Sequence, residues 1–260
     1  MVCCYRWFVY IVFAMGLSLS FSLSAAAVCE LKVRIPNFEP LAMRDDQGNW
    51  HGIDVDQAKA LLDQAGCRYR FIEMPFARGI HKLQRGELDM MLEISKNPER
   101  QKTLHFVGPQ RLETTHLILK KGLVKPPITG WQQLKTLDLA LLIQRGAYLG
   151  ERFEQALIEN PQLKKRLVFL GESGFRIDLI KKGRVDGFFA EKLYLQYRLR
   201  SNPDYAMVEL HPLVISSAPV YFAFSKISVN EALLNRLTTA YQQLAKTAKL
   251  KQIEAQYTGI

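Results

Sequence analysis

The stretch ISKNPERQKTLHF, residues 94–106, places charged and hydroxyl side chains where an apolar run ends. Glu93 and Ser95 stand at the end of that run, and Arg100 follows an Asn-Pro turn. A guanidinium can bind a carboxylate through two charge-assisted hydrogen bonds, so Arg100 is a candidate carboxylate-binding residue. The alternative is a solvent-exposed surface arginine, and the elements around this turn decide between the two.

The usual catalytic and metal-binding spacings are not found in the sequence. The five histidines form no HxxxH pair, and there is no GxSxG elbow. We therefore predict no metal, no cofactor and no enzymatic activity. The enzymatic alternative is a general acid at Glu93 or Glu191, which requires that burial raise the pKa of the carboxyl group.

Strand-like and helical segments alternate along the chain, a pattern that predicts an α/β fold with parallel sheets. The first unit is a strand at LKVRI, a turn-rich stretch and a helix from Asp54. Asp54 has the residue type of an N-cap, Gln57 stands at the N3 position, and Gly66 ends the helix. These features predict that Asp54 holds a helix end and takes no part in acid–base chemistry.

An internal echo predicts two similar lobes. KLQRGELDMML and LIKKGRVDGFF share the order helix end, Gly, Asp and buried strand, with the aspartates at Asp89 and Asp186. Chance recurrence of a common turn is the alternative. Because ligands of open parallel sheets bind outside the carboxyl ends of the strands, the residues after both strands should face one crevice. They are Glu93, Ser95 and Arg100 on one side and Glu191 on the other.

A third segment, LDLALLIQRGAYLGERFEQAL, has the pattern of a strand, a loop and a helix. We predict that the loop QRGAY brings the backbone NH groups of a helix N-terminus to the crevice, an arrangement that favours anions. Arg145 in this loop either adds a positive charge or faces solvent.

Residues 1–27 have the pattern of a cleaved secretory signal. Arg6 precedes a long uncharged stretch, and three alanines end at Ala27. We predict that this segment is removed and that the mature protein is periplasmic. The alternative is an uncleaved membrane anchor, since the apolar stretch approaches the roughly 20 residues that span a bilayer.

Cys29 and Cys67 remain after cleavage, and an isolated pair in an oxidising compartment predicts a disulfide. Each precedes a strand-like run, so the bond would join the starts of two strands. The alternative is a lipid-modified Cys29, against which the preceding Val28 argues. The net charge is +10, but the basic residues are spread along the chain, and no zinc-finger spacing or lysine block predicts a nucleic-acid partner.

These segments, in this order, resemble the family 3 extracellular solute-binding proteins, the periplasmic receptors of amino-acid-type ABC importers. The matching stretches span nearly all of the mature chain: GIDVDQAKAL, MPFARGIHKLQRGELDMMLEISKNPERQKTLHFVGP, LALLIQRGAYLG, GRVDGFFAE and PVYFAFSK. The resemblance implies a two-lobed periplasmic binding protein of type II, an α/β fold in which each lobe is a parallel-rich sheet flanked by helices. Lobe 1 would comprise residues 28–119 and 218–260 and lobe 2 residues 120–217, with a two-strand hinge that closes the lobes on a ligand.

The resemblance also implies roles for individual positions. Arg100 would bind the α-carboxylate of the ligand, with help from the hydroxyl of Ser95. Glu191 would receive the α-ammonium group, at a position where many relatives have Asp. The rest of the pocket would come from an aromatic residue after the first strand and from the QRGAY loop: Phe38, Gly146 and Ala147.

The carboxylate at Glu93 departs from the family pattern. Relatives that bind free amino acids usually have small residues near Glu93, so its carboxylate has three possible fates. It contacts a cationic ligand side chain, pairs with Arg100 or Arg78, or turns to solvent. Arg78 in MPFARGI is itself a candidate cleft residue.

The expected function is the capture of an amino acid or related carboxylate for ABC import, by a monomer whose partner is an inner-membrane permease. Two alternatives stay open. One is an orphan receptor or sensor module without a transporter, and the other is a periplasmic cyclohexadienyl-type dehydratase on the same fold.

Overall fold

The computed structural model describes residues 29–171 and 176–258, in which strands and helices alternate. The predicted signal peptide, residues 1–27, lies outside the described residues. The strands are β1 Glu30–Ile35, β2 Met43–Arg44, β3 Trp50–His51, β4 Arg68–Glu73, β5 Met90–Ser95, β6 Leu104–Lys120, β7 Leu141–Gln144, β8 Leu167–Leu170, β9 Gly187–Glu191 and β10 Val208–Ser225. The helices are α1 Ile53–Gln64, α2 Phe76–Gln84, α3 Pro98–Thr103, α4 Trp131–Thr136, α5 Glu151–Glu159, α6 Pro161–Lys165, α7 Arg176–Lys181, α8 Lys192–Ser201, α9 Glu231–Lys246 and α10 Lys249–Thr258, with a 3₁₀ helix at Pro203–Met207. Within these ranges, no helix combines the length and the apolar character that a membrane span requires.

Eight of these strands form one mixed sheet in the order β4-β1-β5-β10-β6-β9-β7-β8. β1 pairs in parallel with β4 and β5 in one half, and β7 pairs in parallel with β8 and β9 in the other. Between them the long strands β6 and β10 run antiparallel to each other through both halves. The predicted α/β class, with two parallel-rich halves joined by two strands, is confirmed.

Each half of the sheet has its own apolar core. In the first half, β1, α1 and α9 bury residues such as Leu31, Leu61 and Leu237. In the second half, β7 and α5 bury Leu141 and Phe153. Because β6 and β10 run through both halves, the lobe boundaries at 119/120 and 217/218 fall inside these strands, and they stay a prediction.

The predicted disulfide is present between Cys29 and Cys67. The two cysteines precede β1 and β4, which are parallel neighbours, and the backbone NH of Arg68 donates a hydrogen bond to the carbonyl of Cys29 at 2.8 Å. The bond therefore joins the starts of adjacent strands. A Cys29 that forms this disulfide has no free thiol to carry a lipid.

The two echoed turns are built alike. The glycine in each has a positive φ, 72° in the first turn and 62° in the second, where the lack of a Cβ avoids strain. The carboxylate of Asp89 accepts a hydrogen bond from the backbone NH of Lys32 at 2.7 Å, and that of Asp186 accepts one from Ala140 at 2.7 Å. In both halves, the aspartate thus fixes the buried strand that follows it against its parallel neighbour.

The start of α1 differs from the sequence prediction. Gly52 is the N-cap, and no side chain caps the helix. The carbonyl groups of Pro40 and Leu41 accept the first backbone NH groups of α1 instead, so these groups need no carboxylate. Asp54 is therefore not a cap, and its buried side chain is free to bond elsewhere.

The start of α5 also differs from the prediction. The QRGAY loop is a turn in which the backbone NH of Ala147 donates to the carbonyl of Gln144 at 3.0 Å. Gly150, with φ of 88°, precedes the helix, which begins only at Glu151. The helix begins three residues after Tyr148, the last residue of QRGAY, so the NH groups of this loop are not those of the helix N-terminus.

Candidate functional site

A cavity of about 100 Å³ lies where the two halves of the sheet meet. Side chains from both halves line it, at the carboxyl ends of the parallel strands as the sequence predicts. Six of the predicted site residues are among them: Phe38, Glu93, Ser95, Arg100, Ala147 and Glu191.

Arg100 lies in the short helix α3, and the Asn-Pro turn before it fixes its position. The side chain of Asn97 accepts a hydrogen bond from the backbone NH of Arg100 at 2.8 Å, and Pro98 begins the helix. The buried guanidinium donates to the carbonyl of Ser95 at 2.8 Å and to that of Gly146 at 3.0 Å. Both acceptors are neutral, so these bonds position the guanidinium without cancelling its charge.

Arg111, in the middle of β6, was not singled out in the sequence. It forms a bidentate pair with Glu191, at 2.7 and 2.9 Å, and also donates to Glu93 at 2.7 Å and to Asp54 at 3.0 Å. Burial alone would lower the pKa of Arg111, but the three carboxylates raise it well above its usual value. Arg111 therefore joins α1, β5 and β9 behind the cavity.

The carboxylate of Glu93 pairs with Arg111, and not with Arg100 or Arg78 as considered for it. Because Glu93 also lines the cavity, its contact with a cationic ligand group stays a prediction. Its backbone is in the left-handed region, with φ of 61°, and its NH donates to the side chain of Gln110 at 3.0 Å. This conformation is uncommon for a residue with a side chain and is typical of functional sites. Burial, followed by the charge of Asp54, raises the pKa of Glu93 well above its usual value.

Glu113 is the second residue that sequence reasoning missed, and it is acidic. It lines the cavity beside Glu93 and Glu191, and carboxylate oxygens of the three lie within 4.8 Å of one another. The hydroxyl of Thr115 donates to Glu113 at 3.1 Å. Burial and the charge of Glu191 raise the pKa of Glu113 to about 7. A cluster of oxygens at this spacing attracts a cationic group.

Arg176 is the third missed residue. It begins α7, its side chain is buried, and it lines the cavity. Its guanidinium carbon lies 5.1 Å from the ring centre of Phe38 and 5.1 Å from that of Tyr194. The rings of Phe38 and Tyr194 stack on each other at 4.8 Å. Phe38 thus contacts the second half of the molecule as well as the cavity.

Three predicted site residues do not line the cavity. Arg78 on α2 is exposed. Arg145 is also exposed, with its guanidinium 6.0 Å from the ring centre of Phe169. Gly146 contributes its carbonyl to Arg100 and no NH group to the cavity lining. Their predicted contacts with a ligand stay predictions.

A sequence signal for the missed residues exists but is weak. Arg111 and Glu113 are charged residues in the interior of a long strand, and the buried Arg34 in β1 has the same character. A charged residue in the interior of a strand that packs in the core requires a partner, because an unpaired buried charge is costly. Arg176 has no such signal, since it stands at a helix start where arginines are common on the surface.

Comparison with known proteins agrees with this geometry. The family model described as bacterial extracellular solute-binding proteins, family 3, matches residues 31–260. The arginine-binding extracellular protein ArtP of Bacillus subtilis is 26% identical over 231 residues, which cover 86% of this chain and 84% of that protein.

Solved structures have the same fold. An ancestral arginine-binding protein bound to arginine matches with a TM-score of 0.74 and 23% identity, over 88% of this chain and 97% of that one. The ancestral amino acid-binding protein AncCDT-1, described as a precursor of cyclohexadienyl dehydratase, matches with a TM-score of 0.71 and 22% identity, over 88% and 95%.

Proposed function

The chain belongs to the bacterial extracellular solute-binding proteins of family 3, and on that premise we propose that it is a periplasmic receptor for an amino acid or related carboxylate. The ligand lies between the two lobes and is delivered to an ABC importer. The observation that carries this proposal is Arg100, a buried guanidinium held by two neutral carbonyls at the edge of the cavity, with its charge left for a ligand carboxylate.

The opposite pole of the ligand is an ammonium group. Glu93, Glu113 and Glu191 bring three carboxylates together beside one arginine, Arg111, which also bonds Asp54. The carboxylates outnumber the arginine that serves them. An α-ammonium group placed against this cluster adds the missing positive charge, and the same molecule then reaches Arg100 with its carboxylate.

Contacts across the cleft support closure of the lobes on the ligand. The guanidinium of Arg100, in lobe 1 as predicted, bonds the carbonyl of Gly146 in lobe 2. Glu39 and Arg198 form an ion pair at 2.6 Å between the same two parts of the chain. These contacts exist only when the lobes are close together, which is the state that encloses a ligand.

Replacing Arg100 by Ala tests the proposal. We expect the variant to lose about 2–5 kcal/mol of binding free energy, because the ligand carboxylate is left without its charged partner. The ligand is first found by a thermal-shift screen of the mature protein against amino acids and small organic acids. Calorimetry then gives the affinity of the variant for the strongest ligand of that screen.

The matched control is Arg200→Ala, which removes an exposed arginine on α8 and should leave the affinity unchanged. Both variants should retain a cooperative thermal transition. An Arg100→Ala protein that binds as tightly as the original would refute the carboxylate role of Arg100.

The import role is tested separately. Deletion of the gene should reduce uptake of the labelled ligand by cells, and light scattering should give the mass of a monomer. Unchanged uptake, with ligand binding intact in the purified protein, would favour the receptor or sensor role without a transporter.

A second candidate function is acid catalysis in the same cavity, favoured by Glu113. Burial and the charge of Glu191 raise the pKa of Glu113 to about 7, so a large part of this carboxyl group carries a proton at neutral pH. Such a group can protonate the hydroxyl that leaves a cyclohexadienyl acid as water. Prephenate is the probe: conversion to phenylpyruvate, carbon dioxide and water above the spontaneous rate would support catalysis, and no acceleration would leave the receptor role.

A further inference from the structure

Arg176 is a buried charge, and the residues that the structure describes offer no acceptor to one of its nitrogens. Arg176 is buried, with only 7% of the residue exposed, and it lines the cavity. The buried Nη1 has no hydrogen-bond partner among the residues that the structure describes. Burial lowers the pKa of Arg176 from its usual value, which reflects the cost of holding a charge there.

The aromatic rings around Arg176 stabilise the cation only in part. The guanidinium carbon lies 5.1 Å from the ring centres of Phe38 and Tyr194 and 5.5 Å from that of Phe188. Rings attract a cation through their faces, but they offer no lone pair to an N–H group. A buried donor without an acceptor costs free energy, and a ligand anion removes that cost by accepting a hydrogen bond from it.

The cavity has two basic regions. Arg34 and Arg100 lie over the ring of Phe76, at 5.5 and 5.7 Å from its centre. Arg176 lies instead over the ring of Phe38. Two basic regions in one cavity suit a ligand with two anionic groups.

We propose that Arg176 binds a second anionic group of the ligand, so that the cleft selects amino acids with an acidic side chain. The inference rests on the proposed function, in which Arg100 binds the first carboxylate and the glutamate cluster binds the ammonium group. Arg176 is then the residue that determines specificity for an amino dicarboxylate over its neutral amide.

The charges around the cavity agree with such a ligand. Among the described residues, three arginines and three glutamates line it, and Arg111 and Asp54 form an ion pair at 3.0 Å behind it. The glutamates lie together as one cluster, whereas the arginines lie over two different rings, those of Phe76 and Phe38. A ligand with one ammonium and two carboxylate groups presents its cation to the glutamate cluster and one anionic group to each basic region of the cavity.

The experiment compares acids with their neutral amides. Calorimetry of the mature protein measures affinities for L-glutamate and L-aspartate, for L-glutamine and L-asparagine, and for succinate, which has no ammonium group. We expect one of the acidic amino acids to bind at least about tenfold more tightly than its amide. An amide that binds as tightly as its acid overturns the inference.

The variant Arg176→Met keeps the length and apolar contacts of the side chain and removes its charge. We expect it to lose the preference for acid over amide while retaining affinity for the amide. Arg176→Lys keeps the charge and should keep part of the preference. If Arg176→Met keeps the whole preference for acid over amide, the inference is overturned. A lower unfolding midpoint in that same variant would then assign Arg176 to the core.

The two proposals fail in different ways. Arg100→Ala should weaken acid and amide alike, whereas Arg176→Met should weaken only the acid. Binding of succinate but of no amino acid would contradict the proposed amino-acid receptor and still support Arg176 as an anion-binding residue. Binding of none of the three dicarboxylates, L-glutamate, L-aspartate and succinate, would overturn the inference about Arg176.

Discussion

Two buried arginines beside the same cleft have opposite surroundings. Arg111 donates hydrogen bonds to carboxylates of Asp54, Glu93 and Glu191, whereas a buried nitrogen of Arg176 has no acceptor among the described residues. Burial acts to lower the pKa of both, but the three carboxylates reverse the effect for Arg111. The carboxylates that neutralise Arg111 make it part of the fold, whereas the nitrogen of Arg176 without an acceptor is the observation behind its proposed role in ligand binding.

The positions of the two arginines explain the difference. Arg111 lies in the middle of β6, which pairs with β9 and β10, so strand ends and a helix surround it. Its partners come from both halves of the molecule, Asp54 and Glu93 from the first and Glu191 from the second. Arg176 begins α7 in the second half, where the rings of Phe188 and Tyr194 lie near its guanidinium and its side chain lines the cavity.

Replacing Arg111 by Met tests whether Arg111 stabilises the fold, and it has the largest expected effect. We expect a loss of about 3–5 kcal/mol in the free energy of unfolding, because buried carboxylates lose the cation that neutralises them. Chemical denaturation of the unliganded protein at neutral pH measures this loss. Met fills a similar volume, so the effect reports the charge and its hydrogen bonds rather than a cavity.

Arg200→Met, on an exposed face of α8, is the control and should change the free energy of unfolding by at most about 0.5 kcal/mol. Arg176→Met should not reproduce the loss, since no ion pair of the described residues includes Arg176. Similar losses for Arg111→Met and Arg176→Met would remove the distinction between the two arginines.

The pH dependence of stability tests the acidic residues that lie beside the two arginines. Burial, followed by the charge of Glu191, raises the pKa of Glu113 from 4.5 to about 7. Between these values the folded protein holds a proton that the unfolded chain releases, so this contribution to stability is lost as the pH rises through about 7. In Glu113→Gln the free energy of unfolding should therefore fall by about 1–3 kcal/mol less over this pH range, since a pKa shift of one unit corresponds to about 1.4 kcal/mol.

Denaturation curves of the original protein and of Glu113→Gln across this pH range give the difference directly. Glu93 and Asp54 also have raised pKa values and titrate in both proteins. Because the charge of Glu113 contributes to the raised pKa of Glu93, the difference reports Glu113 together with its effect on Glu93. Parallel pH profiles of the two proteins would show that Glu113 titrates like an ordinary exposed glutamate.

The alternation of strands and helices follows from local sequence signals, although tertiary contacts replaced the predicted cap of α1. The echoed glycine–aspartate turns recur because each Asp bonds the start of a neighbouring strand, a requirement that leaves a visible residue pattern. The cysteine pair was also predictable, since each residue directly precedes a strand-like run and no other cysteine remains after the predicted cleavage. Such signals need only a few consecutive residues, so periodicity and turn chemistry predict them.

The site was predictable only where its residues follow strand ends. Arg100 and Glu191 were found because parallel strands bring their carboxyl ends to one edge. Asp54 was assigned to the wrong role, because backbone carbonyls from residues 40 and 41 replaced the cap, and that contact is not readable from the helix itself. Arg111 and Arg176 depend on partners 18 to 80 positions away or on rings from other elements, so their roles appear only in three dimensions.

The ion pair between Glu39 and Arg198 gives the smallest expected effect. It joins the two lobes at 2.6 Å but lies near the surface, where solvent screens the charges. Arg198→Ala should therefore cost about 0.2–1 kcal/mol of binding free energy, in contrast to the effect of the buried Arg111. Calorimetry at low and at high salt measures it, with Arg200→Ala on the same helix as control. Because Arg198 also lies 5.4 Å from the ring centre of Tyr194, a salt-independent loss would assign its effect to that aromatic contact instead of the ion pair.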